Sequence, residues 1–222
     1  TAAQDLIRQY GADALVPAID DVAASVLAKR NADLTRLTGQ KSAVINGLSG
    51  KGAVPVPKAV AAIDAQIAKL TAQKMDALKP VIAKLEDFKA SLSGQGLTEI
   101  EANRKVIGEA FSGLDMGAIR STGEKALSAV YGPLREDMGN FIKSAGKPND
   151  FGKWKAANDQ LAAMAGELSD TAFKRVMTKG EASPEVVRGM LFSAKPSDVA
   201  RLYKNLTPEG QASARTAILQ EA

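Results

Sequence analysis

The chain has 222 residues, 29 basic against 25 acidic, and contains neither cysteine nor histidine. Those absences exclude disulfides, thiolate nucleophiles and sulfur-ligated metals, together with the usual general base and the commonest transition-metal ligand. Hydrophobic residues reach 45% while aromatics stay at 5%, a balance that suits closely packed, alanine-rich helices better than a broad globular core.

The net charge of +4 is spread out: +3 over residues 1–93 (12 minus 9), 0 over 94–148 (7 minus 7) and +1 over 149–222 (10 minus 9). A nucleic-acid footprint would be a concentrated basic patch, so no specific nucleic-acid ligand is expected. Uncharged runs reach nine residues, as in 126–134, and a helical span needs about eighteen, so neither a membrane span nor a signal peptide is expected. The chain opens at Thr1 and stops at Ala222 within what reads as a continuing helix, and an excised piece of a longer polypeptide is expected.

Leu6, Ile7 and Tyr10 form a short amphipathic piece closed by Gly11. Pro17 suits a first helical turn, and Asp20 and Asp21 suit the positive end of a helix dipole. Ile19, Val22, Val26, Leu27, Leu34, Leu37, Val44 and Leu48 then keep helical spacing, with Gly39 weakening the run. Residues 47–57 stop this arm with glycines and start the next with prolines, as a helix-to-helix connection requires.

From Pro57 to Leu92, Val60, Ile63, Ile67, Leu70, Ala77, Val81, Leu85, Phe88 and Leu92 fall three, four or seven apart, with Lys74 in the one apolar slot that breaks the series. That is one narrow stripe on a helix of roughly 50 Å, which needs a partner to cover it. The spacing predicts an antiparallel, coiled-coil-like hairpin over 12–92, with arms at 18–48 and 57–92. Pro80 and a four-and-four step through Ala77, Val81 and Leu85 predict a bend in the second arm.

Ser93 to Gly96 ends that arm. Thr98 to Glu101 and Ser121 to Glu124 have capping-box spacing. The first precedes Ile100, Val106, Ile107, Ala110, Phe111 and Leu114; the second precedes Leu127, Val130, Tyr131, Leu134, Met138, Phe141 and Ile142, with a kink expected at Gly132-Pro133. Residues 146–149 read as a linker before Phe151, Trp154, Leu161, Met164 and Leu168. Pro184, Pro196 and Pro208 are twelve apart, each at the start of an expected short helix, with Ser183, Lys195 and Thr207 immediately before them.

Carboxylate neighbours occur at Asp20/Asp21, Glu86/Asp87, Glu99/Glu101 and Glu136/Asp137. Adjacent residues on one helix point some 100° apart and cannot face each other across a scissile bond, so they read as solvated faces and dipole complements. A wall- or glycan-acting enzyme using carboxylates alone therefore finds little support. Gly94-Gln-Gly96 and Gly50-Lys-Gly52 follow no strand and lack the lysine-plus-hydroxyl pattern of a phosphate loop, so they read as helix stops. Trp154 between Lys153 and Lys155 could stack on a base or a sugar, but its spacing from Phe151 and Leu161 reads as a core anchor. Arg104/Lys105 and Lys174/Arg175 read as solvated doublets. No catalytic, cofactor-binding or metal-ligating residue is expected, and no cofactor or small-molecule substrate.

The run from Ser183 to Gly210 resembles a segment of large, helix-rich structural proteins of tailed bacteriophages, internal or ejected components of the virion. The resemblance implies a virion protein that packs against copies of itself or its neighbours, and that travels with the genome toward the host envelope. Some such proteins carry a lysozyme-like wall-cleaving domain, whose catalytic glutamate motif has no match here.

The expected fold class is all-α: a helical hairpin with a short N-terminal helix over 1–93, and a compact multi-helix body over 97–222 ending in three proline-initiated helices. The expected function is that of a non-enzymatic structural module acting through helix packing on protein partners. The alternative is a membrane-active protein whose hairpin opens on a bilayer.

Overall fold

The computed structural model describes residues 2–112, 117–167 and 184–221. Among them the chain is all-α: α1 (Ala2–Gly47), α2 (Pro57–Thr71), a 3-10 turn (Asp76–Leu78), α3 (Lys79–Leu92), α4 (Leu97–Ser112), α5 (Gly117–Ala145), α6 (Asp150–Glu167), α7 (Pro184–Leu191), α8 (Pro196–Lys204) and α9 (Pro208–Glu221). Leu114, Leu168, Ser183 and the Lys174/Arg175 doublet lie outside the described residues.

The helices group into two compact units, residues 40–156 and residues 1–39 with 157–222. This division differs from the expected boundary between 93 and 97, because the first part of α1 and the last three helices share one core.

The expected continuous hairpin over 12–92 does not form. Its first arm is longer than predicted, α1 running through Gly11, Pro17 and Gly39 to Gly47. Its second arm is two helices, α2 and α3, packed on each other. The stripe of α1 is covered by other elements: Ile19, Val22 and Val26 belong to the core shared with the C-terminal helices, and Val44, Ile45 and Leu48 to the core of residues 40–156.

The arm breaks at residues 72–75. The amide N–H groups of Gln73 and Lys74 turn back onto the carbonyls of Leu70 and Thr71, and Lys74 takes a left-handed conformation with φ 51°. Pro80 has no N–H to continue the ladder and instead sits in the first turn of α3, where the missing donor costs nothing. The four-and-four step through Ala77, Val81 and Leu85 is therefore not a bend in one helix but the junction of two. Each buries its own stripe: Ala59, Ile63 and Leu70 on α2, and Val81, Leu85, Phe88 and Leu92 on α3.

In the 40–156 unit α2 packs chiefly on α5, while α3 packs on α4 and α2. Each fully buried aliphatic or aromatic side chain there contributes about 1.5–3 kcal/mol. Trp154 is 3% exposed and belongs to this core, with its ring tilted against Phe151. A Cβ on Gly139 would come within 3.1 Å of the Phe151 ring, so the glycine lets α6 aromatics sit close on α5.

Neither predicted capping box forms. The hydrogen bond from the Ile100 N–H to the Gly96 carbonyl starts α4 one residue before Thr98, and the Thr98 hydroxyl is buried without a partner. Glu101 is drawn instead to Lys41 and Arg104. Helix α5 begins before Ser121, leaving Glu124 to pair with Arg120, and it continues through Pro133.

In the other unit Ile19, Val22, Ala23 and Val26 of α1 share a core with Val187, Met190 and Leu191 of α7, Leu202 and Leu206 from α8 and its end, and Ala214 and Ala217 of α9. The three prolines each open a helix. Ser25 of α1 reaches across: its hydroxyl oxygen accepts the Thr207 N–H at 2.8 Å, while Thr207 Oγ1 accepts the Gly210 N–H at 3.1 Å. A Cβ on Gly210 would collide with Ser25 Oγ, so glycine is what permits this approach.

Lysine in the left-handed region carries a steric cost that glycine avoids. Lys74→Gly is expected to stabilise the protein by roughly 1 kcal/mol in urea denaturation; an unchanged or lower midpoint would show that the backbone at 74 is not held left-handed.

Candidate interaction surface

The α2–α3 hairpin carries two exposed features at opposite ends. The first is an open groove of about 820 Å³ lined by residues 53–56, by Val60, Asp64 and Ile67 of α2, and by Glu86, Lys89, Ala90 and the residues ending α3. That volume is within the range of ligand clefts, about 300–1,000 Å³. An exposed ion pair from Lys89 to Asp64, 2.6 Å, spans the two antiparallel helices. One wall is the extended segment before α2, pinned where the Val54 N–H donates to the Gln95 carbonyl at 2.8 Å.

Most of the lining is apolar, and its charges do not balance. Asp64 and Lys89 satisfy each other, while Glu86 is exposed and makes no ion pair among the described residues. The groove thus offers apolar contact beside one uncompensated carboxylate.

The second feature is the tip at residues 72–75. Met75 is 56% exposed, and Lys74 beside it is exposed and has no ion pair among the described residues. The turn thus exposes an apolar side chain next to a cation in sequence.

A carboxylate from α5 anchors the groove end of the hairpin. Val56 gives α2 no side-chain cap, and Asp137 supplies it from 78 residues away, accepting the Ala59 N–H at 2.9 Å while only 3% exposed. Neighbouring Glu136 pairs with Lys58 at 2.6 Å, which holds the Glu136 carboxyl below its usual range. This adjacent pair therefore complements the dipole of a different helix from the one that carries it.

A buried ionic cluster ties the end of α1 to α4. Lys41 Nζ lies 2.6 Å from Glu101, and Arg104 donates twice to the same carboxylate. The Arg104 guanidinium lies 5.6 Å from the centre of the Tyr131 ring, whose hydroxyl donates to the Arg104 carbonyl. Burial pushes the Glu101 pKa up, but the hydrogen bonds from Arg104 and Lys41 and their charges outweigh it and leave it lowered. Lys41 is lowered because burial outweighs its attraction to Glu101.

The remaining sequence features do not converge on one site. Asp20/Asp21 and Glu86/Asp87 are solvent-facing on α1 and α3. The Glu99 carboxylate lies over Gly96. Gly50, Gly52 and Gly94 have positive φ and lie between helices. No group of metal-ligating side chains occurs among the described residues. Sequence reasoning missed the groove because it depends on the reversal at 72–75, for which Lys74 in the apolar slot and Pro80 were the available signs. Comparison with protein-family models, curated proteins and solved structures finds no match to this chain.

A carboxylate with a depressed folded pKa stabilises above its unfolded pKa, and that contribution is lost as pH falls through the folded value. The Glu101 contribution should therefore disappear on acidification below the ordinary glutamate range. Glu101→Gln is expected to lower thermal stability at neutral pH and to narrow its gap from the unsubstituted chain toward low pH. Parallel melting curves across that range would contradict the assignment.

Proposed function

We propose that the chain is a helical protein-interaction module of a tailed-phage virion protein, acting through helix packing rather than turnover. The observation that carries the interaction reading is the hairpin surface: an apolar groove with one unbalanced carboxylate and, separately, an exposed Met–Lys tip. These features favour contact with polypeptide, whose side chains combine apolar bulk and charge. The virion assignment is supported by the likeness of residues 183–210 to phage structural proteins.

The membrane-active alternative depends on a hairpin over 12–92, whereas the second arm is divided and Ile63, Leu70, Val81, Leu85, Phe88 and Leu92 of its stripe are buried. No helix among the described residues is long and apolar enough to cross a membrane.

Mass spectrometry of phage particles purified from a lysate that expresses this reading frame tests the assignment. Peptides from both units are expected to copurify with particles through a density gradient. Their presence in the lysate and absence from intact particles would contradict the virion assignment.

A further inference from the structure

The geometry points to a contact between copies of this chain, in which the Lys74–Met75 tip of one α2–α3 hairpin seats in the groove of another. The inference rests on the interaction-module reading and names the partner. Charge complementarity supports this occupant, because the groove lining carries Glu86 and the tip Lys74, opposite charges with no ion pair among the described residues. Of the other charges, Asp64 and Lys89 in the groove lining pair with each other, as do Asp76 and Lys79 just after the tip.

Apolar contact follows the same division. The groove presents Val60 and Ile67, and the tip presents Met75, whose unbranched thioether adapts to an irregular cleft. The left-handed Lys74 adds an independent sign. It is the one positive-φ non-glycine among the described residues, in a position where glycine would relieve strain. The lysine side chain acquires a use if it pairs with Glu86 of a second copy.

The tip and groove lie at opposite ends of the hairpin, so a tip cannot enter its own groove. Two hairpins laid antiparallel can exchange tips and close a dimer; a contact made in one direction alone would extend into chains. The reciprocal arrangement uses both tips and both grooves, and it is the assembly we assign.

Sedimentation velocity over a concentration series reads this directly. The full chain should shift from monomer to dimer as concentration rises. Each substitution alters both contacts of the reciprocal dimer, so Lys74→Glu and Glu86→Lys should each weaken it about four- to twenty-fivefold, an exposed ion pair of about two- to fivefold lost twice, and the double variant carrying both should recover. Lys74→Gly should weaken association without loss of folding. Because the chain lacks cysteine, a short bismaleimide should join a Gln73→Cys copy to a Ser93→Cys copy in preference to a Ser128→Cys copy. A chain that stays monomeric into the millimolar range, single charge variants without effect, failure of the double variant to recover, or equal cross-linking to Ser93→Cys and Ser128→Cys would each overturn the contact. None of these results would change whether the protein copurifies with particles, so the virion assignment stands or falls separately.

Discussion

The reversal at residues 72–75 determines the architecture of the 40–156 unit. A continuous 36-residue arm would place Val60 and Ser93 roughly 50 Å apart; the turn instead brings α3 back along α2, with Lys89 paired to Asp64 across them. The apolar stripes can then be buried by α4, α5 and each other. The reversal also creates both exposed features of the hairpin, a groove at one end and a charged apolar tip at the other.

Once the helices are short, their ends must be satisfied, and both units do this with side chains from elsewhere in the sequence. Asp137 caps α2 from α5, and Ser25 reaches the start of α9 from α1. Such links oppose the fraying that leaves terminal N–H groups unpaired, with a typical cap contributing about 1 kcal/mol. Each also fixes how its helix meets the neighbour, since the distance that makes the hydrogen bond excludes larger residues at Gly210.

Local patterns in the sequence reported helical character, the buried role of Trp154 and the three proline-led helix starts. They are short-range properties of periodicity and backbone chemistry. Long-range choices were less legible. Thr98 and Glu101 have capping-box spacing, yet the glutamate gains more from the two cations Lys41 and Arg104. Pro80 and Lys74 announced a disturbance in the second arm, but either a bend or a complete reversal is compatible with that local pattern. Only the burial of both faces against α4 and α5 distinguishes the two outcomes. The groove was invisible for the same reason: its walls are separated in sequence and meet only after the reversal.

The central claim is that the 57–92 segment is an antiparallel pair of helices. Spin labels on Ala61→Cys and Ser93→Cys, both exposed positions in a chain with no native cysteine, test it by pulsed electron paramagnetic resonance in a sample diluted with unlabelled chain. A single distance in the range of adjacent packed helices, about 10–20 Å between backbones, is expected. A dominant distance near 48 Å, that of 32 residues of unbroken helix, would contradict the fold and the surface built on it.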